Sequence, residues 1–154
     1  MPKRGKPSAG EKKRLSRDQW LTHALNHLAQ EGEARLTVDR VVAALGVTKG
    51  SFYWHFEDRD DFLRKVVQYW DEHFTRRVAD HVDSLDAPPA ERLWAIAKAV
   101  WQEELARYDL AIRAWAAQDE SVAKLVRKVD RKRYSVVREI FVELGFRGEE
   151  LEMR

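Results

Sequence analysis

Apolar residues recur every three or four positions along most of this chain, the period of helices that bury one stripe. The first stripe is Trp20, Leu21, Ala24, Leu25 and Leu28, opened by a Ser16/Gln19 capping box and stopped at Gly32. The second is Val38, Val41, Val42 and Leu45, between a Thr37 cap and Gly46. Val47 plugs the following turn, and Thr48 caps a short third helix, Lys49–Phe56. These three helices predict a small core of Leu25, Leu28, Val38, Val41, Leu45, Val47, Phe52 and Phe56. Asp58 then caps a fourth helix with a stripe of Phe62, Leu63, Val66, Val67, Trp70, Phe74, Val78, Val82 and Leu85. It must end before Pro88-Pro89, so it spans about 27 residues, or roughly 40 Å. Further helices are expected over Ala90–Leu105, Asp109–Gln118 and Glu120–Leu144, with Gly145 as the stop and residues 148–154 as the opening turn of another. No strand pattern and no internal repeat competes, so the fold class is all-α.

The third helix breaks the usual partition of inside and outside. With Phe52 facing the core and 100° per residue, Phe56 lies on the same side. Gly50, Ser51, Tyr53 and Trp54 then point outward or flank that side, with Lys49 and His55 at its edges. A short helix that leaves Tyr and Trp beside Lys and His presents a surface for a partner. Two short helices joined at Gly46 make a helix-turn-helix, and a DNA groove is the natural partner for the second.

Composition narrows the picture. At 154 residues, with 44% hydrophobic and 35% charged positions, the chain can bury a real core under solvated helix faces. It has no Cys, which excludes disulfides and thiolate metal sites and fits a reducing compartment. No membrane span or signal-peptide core is present, and a soluble, cytoplasmic protein is expected. The overall charge of +2 hides an asymmetry. Lys3, Arg4, Lys6, Lys12, Lys13, Arg14 and Arg17 face Glu11 alone, so residues 1–17 carry +6 and the remainder −4. Such an arm is either a nucleic-acid contact or a solubilising tail.

The segment TVDRVVAALGVTKGSFYWHF resembles the N-terminal domain of the tetracycline-repressor (TetR) family of bacterial regulators, and the resemblance extends from about Ser16 to Trp70. Its carriers are the turn Gly46, the cap Thr48, Lys49-Gly50, Tyr53, His55-Phe56, and a basic residue opening a long helix. The later helices match in layout, with a weaker signal in IRAWAAQDESVAKLVRKVD. Residues 1–15, rich in Pro, Gly, Ser and Lys and without periodicity, are expected to be a disordered basic arm; beyond it the resemblance implies a DNA-binding head (16–58) and a helical ligand-binding and dimerisation body (59–154). It also implies that a small-molecule inducer shifts the fourth helix like a pendulum and respaces two heads on a roughly palindromic operator. Two departures stand out. Family members usually run nearer 200 residues, so either the helices of the usual dimer interface are missing from this chain or its dimer is built differently. Val42 also replaces a usual small Ala.

Site residues follow, each with a plainer reading beside it. By resemblance, Tyr53 and His55 meet backbone phosphates; otherwise they are a surface aromatic and a cap group. Arg59 opens the fourth helix, where a cation opposes the helix dipole. A phosphate explains it, and so does a salt bridge with Glu57 or Asp61. Thr48 and Thr37 are caps whose hydroxyls can reach phosphate, and Lys49 can take phosphate or guanine acceptors. Gly50 costs about 1 kcal/mol against Ala in a helix, which close approach of DNA or tight helix packing would repay. Ser51 and Trp54 are the residues expected at base edges, Trp54 against a thymine methyl. Trp70, Trp94, Trp101 and Trp115 are either core or the lining of a ligand pocket.

His23 and His27 have i,i+4 spacing but no third ligand, so a solvated face rather than a metal site is expected. No nucleophile–base pair, phosphate loop or cofactor motif stands out, so neither an enzyme nor a cofactor is expected. The expected function is a ligand-responsive, DNA-binding transcriptional regulator, in the sense of a repressor released from its operator. The alternative is a helical ligand-binding or protein-interaction module with a vestigial DNA-binding head.

Overall fold

The computed structural model describes residues 15–102 and 105–148. The arm before Leu15 and the expected final helix at 149–154 lie outside the described residues. Helices α1 (Arg17–Glu31), α2 (Val38–Leu45), α3 (Lys49–His55) and α4 (Arg59–Asp71) are followed by a π-helical turn, Glu72–Arg76, and by α5 (Arg77–Ser84), α6 (Pro89–Gln102), α7 (Leu105–Ala116) and α8 (Glu120–Glu143). No strand occurs among the described residues.

The caps fall where side-chain chemistry places them. Ser16 and Gln19 form the reciprocal capping box at α1. Thr37, Thr48 and Asp58 each accept from a backbone N–H three residues on. Gly46 ends α2 in the left-handed region at φ 65°, which lets the chain reverse into α3.

The three-helix core forms as the apolar stripes require. Leu25, Leu28, Val41, Phe52 and Phe56 are buried, with Val38, Leu45 and Val47 packed against them. Trp20 sits at its centre, edge-on to Phe52 and Phe56 at centroid distances of 5.8 and 6.1 Å. Leu15 is also buried there, so the ordered core begins one residue inside the expected arm. Val42 is accommodated within the same core.

That core does not stop at α3. Phe62 of α4 packs on Phe52 and Phe56, and the same buried cluster runs on through Trp70, Ile112, Trp115, Val122 and Val126. α1 docks on α7, where the Tyr108 hydroxyl donates to Asn26 Oδ1 at 2.9 Å and Arg107 pairs with the same oxygen. Thr22 and Tyr69 join their hydroxyls at 2.8 Å between α1 and α4. Head and body therefore share one continuous apolar interior. A second cluster, Ala79, Val82, Val136 and Ile140, holds α5 against α8, with Leu93 and Ile96 of α6 packed on it.

Two expectations need correction. The fourth helix is not one uninterrupted rod. At Glu72–Arg76 the ladder widens, and the Arg77 N–H donates to the Glu72 carbonyl five residues back. Arg133 of α8 faces this turn. Its guanidinium donates to the Phe74 carbonyl at 3.5 Å and to Thr75 Oγ1 at 3.0 Å, so the widened turn is contacted by α8. Helix α7 begins at Leu105, so Ala106–Tyr108 are helical rather than a break. No Gly or Pro interrupts that stretch.

Candidate nucleic-acid interface

Helix α3 is amphipathic with aromatics on both faces. Phe52 has no exposure, while Tyr53 is 57% and Trp54 76% exposed. Phe52 anchors the helix through rings of α1, α3 and α4 at once: Trp20, Phe56 and Phe62. That anchoring fixes the rotation of α3, and the rotation turns Tyr53, Trp54, Lys49 and Gly50 outward. Tyr53 stands edge-on against Phe52, at a centroid distance of 5.2 Å, and stays exposed. Ser51 is half-buried beside the Thr48 cap, and its N–H donates to Thr48 Oγ1 at 3.3 Å.

Gly50 is exposed, and a Cβ added there would meet nothing nearer than Thr48 Oγ1 at 3.8 Å. Packing within the protein therefore does not demand glycine at this position. The tight-packing explanation falls away.

A groove of about 760 Å³ runs beside this face. Ser51, Trp54 and His55 line one wall; Leu15, Ser16 and the turn from Leu45 to Thr48 line the rest. The chain thus enters α1 next to the outer face of α3. His55 is half-buried and lies 6.3 Å from the Trp20 ring.

The two cations of the motif are engaged. Lys49 Nζ meets Asp39 Oδ1 at 2.6 Å, a pair that spans the turn between α2 and α3. Its hydrogen bond to Asp39 and the adjacent carboxylate charge raise the Lys49 pKa. Arg59 meets neither Glu57 nor Asp61. It pairs with Glu33, and its Nε donates to the Leu36 carbonyl at 3.3 Å. Arg59 thereby ties the start of α4 to the turn between α1 and α2. Asp61 is held by Lys65 instead. Burial alone would raise its pKa, but the Lys65 hydrogen bond, the Glu57 N–H and the Lys65 and Arg64 charges together lower it. Thr37 is half-buried as the α2 cap, with Arg40 N–H on its oxygen at 3.4 Å.

The tryptophans do not gather around a ligand site. Trp70 is fully buried, its Nε1 donating to Asp109 Oδ1 at 3.0 Å, and Trp115 is buried in the main core. Trp94 and Trp101 point outward from α6, 71% and 87% exposed. An apolar cavity of about 500 Å³ does open in the body, between the π turn, α5, α6, α7 and α8, and none of the four lines it. Its walls include Val78, Ala79, Ile96, Val136 and Val137, with Asp109, Arg113, Lys132 and Arg133 also on its surface. Periodicity gave no signal for these polar residues: Lys132 and Arg133 belong to a charged run that reads as a solvated face, and Asp109 and Arg113 are single charges in a largely apolar helix.

The histidine expectation also changes. His27 is buried and His23 half-buried, with ring centroids 6.5 Å apart. Burial and the neighbouring His27 lower the His23 pKa. No cluster of three metal-ligating side chains occurs among the described residues.

A tri-helical head with an anchored, outward-facing second helix, joined to a helical body, defines a helix-turn-helix protein. Residues 21–66 match the family model described as bacterial regulatory proteins, tetR family. Over 75 residues the chain is 32% identical to the transcriptional regulator AcuR of Cereibacter sphaeroides, a match covering 49% of this chain and 34% of that protein. Over 64 residues it is 33% identical to the HTH-type transcriptional repressor DhaR of Mycobacterium sp., covering 42% and 32%. These matches span about a third of each curated relative. Two crystal structures share the fold at 23% identity. One is a protein from Rhodococcus sp. assigned to the TetR family, with a TM-score of 0.65 over 82% of this chain and 69% of that one. The other is SCO7518 of Streptomyces coelicolor A3(2), with a TM-score of 0.63 over 80% and 73%. The likeness in sequence to tetR-family bacterial regulatory proteins thus lies in the head, over residues 21–66.

Proposed function

We propose that this protein is a DNA-binding transcriptional regulator whose α3 enters the major groove and whose body answers to a small molecule. The observation that carries the reading is the division of α3: Phe52 is locked inside while Tyr53, Trp54 and Gly50 face out. Phosphate contacts are assigned to Tyr53, His55, Thr37 and Thr48, and base contacts to Ser51 and Trp54, with Gly50 admitting the backbone to the duplex. Lys49 can exchange Asp39 for a phosphate or a guanine edge, since both partners of that pair are solvated. Arg59 is withdrawn from the contact set and positions the head instead. The basic arm contributes electrostatic attraction to the duplex.

Regulation follows from continuity of the interior. The cavity is bounded by Phe74 and Thr75 of the π turn, so its contents bear on the α4–α5 path that carries the head. The sense of regulation proposed is repression relieved by ligand, acting as a homodimer on a roughly palindromic operator in the cytoplasm. No helix among the described residues is long and apolar enough to cross a membrane.

Selection of bound duplexes from a random DNA pool, followed by a gel shift on the recovered sequence, tests the reading. Enrichment of a two-fold symmetric site, with affinity falling steeply as salt rises, is the expected result. Recovery of no enriched sequence would leave the head without a DNA role.

A further inference from the structure

The body cavity is unevenly lined, and the unevenness describes a ligand. Asp109 contacts Arg133, and Arg113 contacts Asp130, so α7 runs antiparallel to α8. Along α8, Lys132 and Arg133 mark one level of the cavity, and Val136 and Val137 lie one turn further on. On α7, Asp109 and Arg113 fall at the charged level, while Ala106 falls towards the valines. Phe74 and Thr75 give way to Val78 and Ala79 in the same direction. The result is an apolar chamber with a polar end.

The charges at that end do not balance. Arg133 is matched by Asp109, which also accepts from Trp70 Nε1. Arg113 is matched by Asp130 at 2.5 Å, with the hydrogen bond and charge of each partner stabilising the ionised form of the other. Lys132 is exposed at the rim, where it also borders a groove lined by Asp71, Glu72 and Asp80, but it forms no ion pair with them. The polar end therefore holds one positive charge in excess, beside walls that reward an apolar body.

We infer that the cavity binds an amphipathic anion: an aliphatic or flat apolar body with a single acidic head received beside Lys132 and Arg133. This rests on the proposed ligand response and specifies its chemistry. A neutral apolar compound would leave the excess charge unanswered. A cationic one would meet Arg113, Lys132 and Arg133, with both carboxylates already taken. Arg133 also holds the Phe74 carbonyl and Thr75, so an acidic head that competes for its guanidinium acts directly on the π turn.

The test is calorimetric titration of the full chain with three probes sharing a ten-carbon tail: decanoate, decanol and decyltrimethylammonium. Decanoate is expected to bind one per chain, at least tenfold more tightly than decanol, with affinity that weakens as salt rises. Lys132→Gln should erase most of the tenfold preference and leave decanol binding unchanged. Ala106→Trp, which fills the mouth of the chamber, should abolish decanoate binding while the circular-dichroism spectrum stays helical. Equal binding of decanoate and decanol, or preference for the cation, overturns the anion assignment but leaves the cavity as a ligand site. Binding of none of the three overturns both. Decanoate binding that survives Ala106→Trp overturns the location.

Discussion

Replacing Gly50 by Ala separates what the protein needs from what its partner needs. Gly50 is the second residue of α3, it is exposed, and an added Cβ meets nothing within van der Waals distance except Thr48 Oγ1 at 3.8 Å. The substitution therefore strains nothing inside the fold. It removes the entropic penalty of glycine, about 1 kcal/mol in a helix interior and about half that expected near a helix end. Stability should rise by about 0.5 kcal/mol, or roughly 1–2 °C in Tm for a chain of this size. DNA affinity should move the other way. If the α3 backbone lies against the duplex, a methyl at this position forces it outward and lengthens every phosphate contact around it. A tenfold loss, about 1.4 kcal/mol, is expected. Thermal unfolding reads the first effect, and fluorescence anisotropy on a selected duplex reads the second. Gly50→Ala binding DNA as tightly as the parent would refute the close approach. Lower stability would refute the open space around Gly50.

Four further outcomes are expected. Tyr53→Phe should weaken binding to all duplexes alike by about 1.5 kcal/mol, the worth of a hydrogen bond to a charged group, whereas Trp54→Ala should change which sequences are selected. Arg59→Gln strips the Leu36 carbonyl and Glu33 of their partner, so urea unfolding should show a loss of about 1–2 kcal/mol; a variant of full stability and lost DNA affinity would return Arg59 to the contact set. Asp109→Asn should destabilise by about 2 kcal/mol, because Arg133 keeps its charge in a half-buried place without a matching carboxylate; unchanged stability in urea would show that the network is slack. His23 has a folded-state pKa below the usual value of about 6.5, so the unfolded chain takes up the proton first as pH falls. Stability should therefore decline as pH drops below about 6.5, and the decline measured by unfolding titrations should be shallower in His23→Leu.

Local chemistry made most of the head legible. Ser16, Thr37, Thr48 and Asp58 are caps because a short oxygen side chain can reach an N–H three residues on, and that reach depends only on neighbours in sequence. The outward turn of Tyr53 and Trp54 follows from helical rotation once Phe52 is placed inside. The apolar stripes likewise foretold the core residues, since periodicity alone selects a face.

What periodicity could not reach were contacts between charged residues distant in the chain. Arg59 lies next to Glu57 and Asp61 in sequence, yet its partners, Glu33 and Leu36, are brought to it by the packing of α1 and α2 against α4. Arg133 reads as one cation in the run RKR, but the docking of α8 sets it against Phe74 and Thr75 of the π turn and against Asp109. The four tryptophans were equally undecided, because a stripe position fixes which face a ring occupies and not what lies opposite. The helices, their caps and the two faces of α3 rest on short-range geometry and can be read from the order of residues. Which charges pair, where the long helix widens and where the cavity lies rest on side chains that meet after the helices have packed.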